Sequence, residues 1–205
     1  MVNFHDGFAF VGGDAYHDLT MPMTEGYEAM SMKSAVRDFL SGMGVDSRGR
    51  RLDTILAWSD DALELRHDFI QWLFPLEQAS RFNPGAPVLA PADFAELGRD
   101  EGVVAGLRAA FRRMLAFYGL TLRGPEVVKA ENWAVRSANW AWSPTHNDLR
   151  ITRILHSLAL FGLHSEAAAL LRFVETLFSE TSLQQGRAEA LRYWRDALKP
   201  EAFSQ

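Results

Sequence analysis

The sequence predicts an all-α fold: a single irregular helical domain of about eight helices. Apolar residues recur at spacings of three and four along most of the chain, and no stretch alternates as a half-buried strand does. Glycines and prolines divide these periodic stretches into short segments of unequal length, which argues against a simple four-helix bundle. The 205 residues suffice for one domain with a substantial apolar core.

Start and stop signals place the helical segments along the chain. Thr145 with Asp148 is the clearest capping box, and Gly119 and Gly162 are typical helix stops. Asp61 with Glu64 resembles a second capping box. We predict helical segments over residues 25–40, 51–58, 59–75, 91–97, 100–118, 145–161, 165–178 and 186–198, and a short helix with a turn over residues 131–142.

The remaining residues predict an arm, a loop and a linker. Residues 1–24 have no period and predict an irregular N-terminal arm in front of a helical domain over residues 25–200. The proline-rich residues 76–90 predict an ordered loop, and residues 120–130 a linker. The chain therefore reads as one helical domain with an appended arm.

Composition narrows the classes of partner. The net charge of -5 argues against a broad nucleic-acid surface, so we expect no nucleic-acid partner. The absence of cysteine excludes disulfides, thiolate metal sites and a cysteine nucleophile. No apolar run approaches the roughly 20 residues of a membrane span, and the N-terminus lacks a signal-peptide pattern. We expect a cytoplasmic protein without a membrane span, and the sequence does not indicate its oligomeric state.

Two stretches, residues 67–76 and 145–155, carry polar side chains among apolar ones. A segment that is apolar on nearly all sides belongs in the interior, where a polar group must find a partner or bind something. We expect these two stretches to meet.

The second stretch holds three basic side chains on one helical face. His146, Arg150 and Arg153 stand at i, i+4 and i+7, in the first turns of a helix where an anion is favoured. Paired guanidiniums bind carboxylates and phosphates well. The alternative is structural: both arginines would pair with acids such as Glu64 or Asp68 and with loop carbonyls.

The first stretch carries the facing polar set. His67 and Gln71 share a helical face, either as a satisfied core network or as a wall of a binding site, whereas Trp72 fits the core better than a ligand stack. The candidate ligand-binding residues are His67, Gln71, Trp72, Asn83, His146, Asn147, Arg150 and Arg153.

The sequence matches known catalytic motifs only weakly. The pairs His5-Asp6, His17-Asp18 and His67-Asp68 suggest a two-metal phosphohydrolase, but two-residue matches arise often by chance. The sequence has no His-Glu-x-x-His, Gly-rich phosphate loop or Gly-x-Ser-x-Gly. We predict no catalytic residue, metal site or cofactor, and a binding module rather than an enzyme. The alternative is a hydrolase or transferase using His67 or His146, with or without a metal.

These motifs resemble a known family, that of the opioid growth factor receptor conserved region. Its two signature stretches are matched by His67-Asp-Phe-Ile-Gln-Trp-Leu-Phe-Pro-Leu76 and His146-Asn-Asp-Leu-Arg-Ile-Thr-Arg-Ile-Leu155. The resemblance covers about residues 36–178. Supporting motifs follow in the same order: Gly49-Arg50, Ile55-Leu56-Ala57-Trp58, Ala62-Leu63-Glu64, Asn83-Pro84-Gly85-Ala86-Pro87, Arg113-Met-Leu-Ala-Phe-Tyr-Gly119 and Asn132-Trp133.

The resemblance implies a receptor-like role. Vertebrate members of the family are described as receptors for met-enkephalin that restrain cell growth and associate with the nucleus. This chain resembles the short, bacterial-type members, without a long acidic or repetitive tail. What the resemblance carries over is the helical fold and a polar pocket between His67, Gln71, His146, Arg150 and Arg153. The expected partner is an anionic small molecule or a peptide of unknown identity.

Overall fold

The protein is mostly helical, with one small sheet. A computed structural model describes residues 31–80, 83–179 and 184–199. Within those residues it contains ten α-helices, a short 3-10 helix and two strands. The α-helices are α1 Met32–Leu40, α2 Leu52–Leu56, α3 Asp60–Leu65, α4 Ile70–Leu73, α5 Pro91–Leu97, α6 Glu101–Phe117, α7 Trp133–Arg136, α8 His146–Leu160, α9 His164–Ser179 and α10 Gln184–Asp196.

Local signals set most helix ends as predicted. Asp100 caps α6 by accepting hydrogen bonds from two backbone N–H groups, and the predicted stop at Gly119 adopts a φ of 77°. Gly162, with a φ of 78°, likewise ends α8. Helix α1 begins at Met32, where the side chain of Ser31 accepts a hydrogen bond from the N–H of Ser34. The part of the predicted first helix over residues 25–30 lies outside the described residues. The predicted arm over residues 1–24 lies outside the described residues.

The core lies between α6, α8 and the helices that cover them. Helix α6 buries Leu107, Phe111 and Met114, while α8 buries Ile151 and Leu155. Helices α9 and α10 pack on α8, and α1 and α2 pack on α6. Burial of these apolar side chains is the main force that holds the short helices together.

Helix α1 approaches α6 unusually closely at Gly106. A Cβ atom at this position would lie 1.9 Å from the carbonyl oxygen of Leu40. Only glycine fits that approach, because the atom in the way is backbone and cannot swing aside. The contact fixes how α1 crosses α6.

The predicted linker over residues 120–130 is a β-hairpin, so the all-α prediction was wrong in this detail. Strands β1 Leu120–Arg123 and β2 Glu126–Lys129 pair antiparallel around a two-residue turn. Gly124 opens the turn with a φ of 60°, which suits the twist of a tight hairpin. Four-residue strands are too short to show a convincing alternation in the sequence.

The helix predicted over residues 59–75 is interrupted. Helices α3 and α4 are separated at Arg66, whose φ of -101° and ψ of 139° are extended. The predicted Asp61–Glu64 capping box is also wrong, because Ser59 caps α3 by accepting a hydrogen bond from the N–H of Ala62. The interruption turns residues 66–69 toward the start of α8.

Candidate functional site

A cleft of about 650 Å³ opens where the two polar stretches meet. One wall is α4 with the loop on either side of it, and the other is a single face of α8. This volume is in the range of pockets that hold small ligands. We call it the first cleft; its lining residues are His67, Ile70, Gln71, Leu76, Gln78, Ala79, Ser80, His146, Leu149, Arg150, Thr152, Arg153 and His156.

One end of the first cleft, the Arg150 end, is built around a buried guanidinium. Arg150 is 4% exposed, and its Nη2 lies 3.0 Å from the carbonyl oxygen of Leu63 and 2.7 Å from that of Arg66. These carbonyls belong to the end of α3, where no further helical turn supplies N–H partners. Arg150 therefore donates to the carbonyls that the interruption between α3 and α4 leaves without helical partners. Burial lowers the pKa of Arg150, although Glu64 opposes that effect.

Glu64 neutralises the Arg150 end. Its carboxylate lies 4.0 Å from Arg150 Nη1, accepts a hydrogen bond from the fully buried Asn147 at 3.5 Å, and lies 3.3 Å from His146 Nε2. The Asn147 side-chain oxygen in turn accepts from Arg150 Nη1 at 3.2 Å. Charge and hydrogen-bonding capacity are thus largely matched at this end.

The two predicted histidines meet at the Arg150 end. The rings of His67 and His146 pack edge to face with their centroids 5.1 Å apart. Nδ1 of His67 lies 3.1 Å from Arg150 Nη2. Because a guanidinium can only donate, Nδ1 must accept, which leaves the ring proton of His67 on Nε2.

The opposite end of the first cleft, the Arg153 end, is different. Arg153 lies one turn further along α8 and donates a hydrogen bond from Nη1 to the carbonyl oxygen of Phe74 at 3.1 Å. Within the described residues it has no ion pair with a carboxylate, and its Nε and Nη2 make no hydrogen bond. Burial lowers the pKa of Arg153 to about 10, because no nearby negative charge offsets the loss of water.

Two histidines of the first cleft have lowered pKa values. Burial lowers the pKa of His156, and the positive charge of Arg153 lowers it further. Burial followed by the charge of Arg150 lowers the pKa of His146, with Glu64 acting in the opposite direction. Both rings are consequently shifted toward the neutral form, in which each can donate and accept a hydrogen bond.

Gln71 and Asn83 tie α4 to the loop that follows it. Gln71 is buried, and its side-chain oxygen lies 3.5 Å from Asn83 Nδ2. Asn83 Nδ2 also lies 3.4 Å from the carbonyl oxygen of Asp68, and Asn83 Oδ1 accepts from the N–H of Gly85. Gln71 therefore lines the first cleft, whereas Asn83 supports it from behind.

Not every predicted site residue lines the first cleft. Trp72 is 3% exposed, packs edge to face on Phe39 and donates from Nε1 to Ser47, so it belongs to the core. Asn147 is buried behind the wall. The predicted structural partner Asp68 does not pair with Arg150 or Arg153, because Arg50 holds its carboxylate at 3.1 Å.

The start of α8 is already satisfied by groups of the chain itself. The hydroxyl of Thr145 accepts from the N–H of Asn147. Arg187 of α10 pairs with Asp148. The anion that the sequence suggested for this helix start therefore has little room there, and the unmatched cation, Arg153, lies two turns further on.

Sequence reasoning missed three α8 side chains of the first cleft, His156, Leu149 and Thr152. His156 and Leu149 stand three and four residues from Arg153, whereas Thr152 is its neighbour in the chain. Extending the face of His146 and Arg150 by one turn beyond Arg153 reaches His156. The signal was thus present in the helical spacing.

The predicted His-Asp pairs do not form a metal site within the described residues. His5-Asp6 and His17-Asp18 lie outside them. Asp68 is bound to Arg50, and His67 packs on His146. Among residues 31–80, 83–179 and 184–199, no three histidine or acidic side chains converge as metal ligands.

The helices of the described part of the chain also include none with the length and hydropathy of a membrane span.

A second cleft of about 400 Å³ lies between α6, the hairpin and the start of α9. Its charges are largely matched, because Arg108 Nε lies 2.7 Å from Glu166 Oε1. Arg112 lies at its exposed edge. The second cleft is lined by Arg108, Phe111, Arg112, Leu122, Gly124, Pro125, Ser165, Glu166 and Ala169.

Comparison with known proteins connects the first cleft to a family. The model of the opioid growth factor receptor conserved region matches residues 45–203, which include both walls of the cleft. The opioid growth factor receptor of Homo sapiens is 37% identical over 153 residues, covering 72% of this chain and 22% of the relative. Opioid growth factor receptor-like protein 1 of Mus musculus is 33% identical over 142 residues, covering 67% of this chain and 30% of the relative.

The likeness is confined to part of each relative. Opioid growth factor receptor-like protein 1 of Xenopus tropicalis is 29% identical over 170 residues, which is 80% of this chain and 33% of the relative. The aligned region thus spans from about a fifth to a third of these relatives' own lengths. No solved structure matches the chain.

Proposed function

The chain belongs to the opioid growth factor receptor conserved-region family, and we propose that it is a non-enzymatic binding module whose first cleft takes an anionic small molecule or a peptide. The observation that carries the proposal is Arg153, a partly buried guanidinium without a carboxylate partner in the described residues. A desolvated charge is costly unless an opposite charge joins it. An anionic ligand would supply that charge.

The surroundings of Arg153 support binding over a structural role. Its neighbour Arg150 donates to the carbonyls at the interruption between α3 and α4. Arg153 makes no contact there, so it does not share that structural role. The walls are formed by two stretches that carry the family resemblance. The relatives are named receptors, a description that agrees with a binding site in the shared region.

A thermal-shift screen tests the proposal. The panel holds nucleotides, sugar phosphates, carboxylic acids, divalent metal salts and a peptide with a free carboxylate. A ligand at a hundred times its Kd adds about 2.7 kcal/mol, or several degrees in Tm for a domain of this size. We expect at least one anion to raise the Tm of the wild-type protein and of Arg112→Gln, which removes a cation outside the first cleft.

Arg153→Gln is the decisive variant in that screen. It should keep a cooperative unfolding transition and lose the shift, because the ligand's negative charge would lose its partner. A panel without any shift would contradict the proposal. A shift that survives equally in Arg153→Gln would move the binding site away from the first cleft.

The pairing of Glu64 with His146 favours one second candidate, a hydrolase or transferase. A carboxylate 3.3 Å from an imidazole fixes the ring's orientation, as general bases require. We would measure turnover of p-nitrophenyl esters and phosphate esters with and without divalent metals. Turnover that is lost in His146→Gln would support the enzyme, and absence of turnover in every wild-type assay would count against it.

A further inference from the structure

We infer that the first cleft selects a monocarboxylate with an apolar body over a phosphate ester. Such a carboxylate comes from either a free organic acid or the C-terminus of a peptide with apolar side chains. The inference rests on the proposed function and deepens it, since the proposed function requires only that some anion binds at Arg153. The charge balance of the cleft favours a monoanion over a phosphate ester, while the donor geometry fits a carboxylate and the apolar wall fits an apolar body.

Among the described residues, the charge balance of the first cleft leaves one positive charge. Arg150 is matched by Glu64 and by the carbonyls at the end of α3. Arg153 has one backbone carbonyl and no carboxylate within the described residues. A monoanion would neutralise this single charge, whereas a dianionic phosphate would leave one negative charge in a partly desolvated site.

The lowered pKa values of His146 and His156 keep these rings from adding to this charge at neutral pH. Nδ1 of His67 accepts a hydrogen bond from Arg150, so the ring carries its proton on Nε2. Burial and the neighbouring arginines lower the pKa of His146 and that of His156. Arg153 is therefore the charged anchor among the described residues of the first cleft.

The donors that Arg153 has to spare suit a carboxylate. Nη1 is engaged by the carbonyl of Phe74, which orients the planar guanidinium. Nε and Nη2 are left, and they lie along one edge of the guanidinium as two parallel donors. That edge matches the two oxygens of a carboxylate, giving a bidentate pair.

The walls beside Arg153 suit an apolar body. Ile70, Leu76 and Ala79 line one side of the first cleft, and Leu149 is 65% exposed on the other. An apolar group on the ligand would cover these side chains, at about fourfold tighter binding for each methylene that is buried. A bare anion such as acetate lacks this contribution.

Titration calorimetry with four matched probes tests the inference. They are 3-phenylpropionate, its primary amide, acetate and phenyl phosphate, which is a dianion at about pH 8. We expect 3-phenylpropionate to bind at least about tenfold tighter than the amide and acetate, and at least about fivefold tighter than phenyl phosphate. This series varies only the ligand, so it does not depend on how any variant folds.

Two variants link that preference to Arg153. Arg153→Gln should abolish binding of 3-phenylpropionate, and Arg112→Gln should leave its Kd unchanged. Arg153→Lys keeps the charge and loses the paired donors, so 3-phenylpropionate should bind more weakly, while its preference over phenyl phosphate, which the charge balance sets, should remain.

The outcomes separate the inference from the proposed function. Phenyl phosphate binding tighter than 3-phenylpropionate, and lost in Arg153→Gln, would overturn the inference and keep the proposed anion site. Binding of the amide as tight as that of the acid would also overturn it. No binding of any of the four probes would overturn the inference, while a Tm shift by another anion that depends on Arg153 would still support the proposed function.

The same assay distinguishes the two sources of the carboxylate. N-acetyl-phenylalanyl-leucine is compared with its C-terminal amide and with 3-phenylpropionate. Binding of the peptide acid more than about tenfold tighter than 3-phenylpropionate, lost on amidation, would identify a peptide C-terminus. Equal or weaker binding of the peptide acid would identify a free organic acid.

Discussion

The two ends of the first cleft hold the same side chain in different electrostatic surroundings. Arg150 and Arg153 are one turn apart on α8, and burial lowers the pKa of both. Arg150 contacts Glu64, Asn147 and carbonyls of the α3 end, whereas Arg153 contacts one carbonyl. A buried arginine therefore indicates a binding site when it has N–H donors without a hydrogen-bond partner and no carboxylate nearby.

The arginines of the second cleft provide a further comparison. It also contains arginines, but Arg108 is paired with Glu166 at 2.7 Å and about half of its side chain is exposed. Such a surface pair contributes little and leaves no strong demand for a ligand. The Arg153 end is therefore the better candidate for binding.

The largest effect is expected when the Arg150 end is broken. Arg150→Leu should lower the free energy of unfolding by about 3 kcal/mol, because it leaves Glu64 and the carbonyls of Leu63 and Arg66 without their partner. Urea unfolding followed by circular dichroism measures it. Arg112→Leu is the control and should stay within about 0.5 kcal/mol of the wild type. Equal stability of Arg150→Leu and the control would show that Arg150 is not structural.

A smaller loss of stability is expected from a variant that leaves Arg150, like Arg153, without a carboxylate partner. Glu64→Gln removes the counter-charge of Arg150, so stability should fall by about 1 kcal/mol. The first cleft would then hold two uncompensated cations, and the affinity for phenyl phosphate should rise several-fold relative to that for 3-phenylpropionate. Calorimetry on the variant gives both Kd values. An unchanged ratio would mean that charge balance does not set the preference.

The next effect is a dependence of stability on pH. The folded-state pKa values of His146 and His156 lie below the ordinary value of 6.5, because burial and arginines disfavour their charged forms. The unfolded chain therefore binds more protons, so stability is full above about pH 6.5 and falls as the pH drops below it. Urea unfolding between about pH 7.5 and 5.5 should show this fall. His156→Gln should flatten it, and an unchanged slope would contradict the assignment.

The sequence predicts the helices well where local signals decide. Asp100 and Gly119 bound α6, and Thr145 and Gly162 bound α8, near the predicted residues. Local periodicity fails at Arg66, because the carbonyls that a continuous helix would use internally are bound by Arg150, more than eighty residues away. No window of sequence can show that competition.

The candidate site was predictable in its composition and less so in its roles. Helical spacing put His146, Arg150 and Arg153 on one face, and the structure brings His67 and His146 together. Which arginine would be satisfied depends on where α3 ends and where Glu64 points, and both are tertiary facts. Binding at the first cleft stays a prediction.

The most direct test of the account requires no knowledge of the ligand. It compares the free energy of unfolding of Arg153→Leu with that of Arg150→Leu in the same urea titration. Replacing a desolvated charge without a counter-ion by an apolar side chain removes its desolvation cost but leaves the carbonyl of Phe74 without its hydrogen bond, so Arg153→Leu should lose at most about 1 kcal/mol, well below the loss in Arg150→Leu. If Arg153→Leu instead loses as much stability as Arg150→Leu, both arginines are structural and the proposed anion site loses its basis.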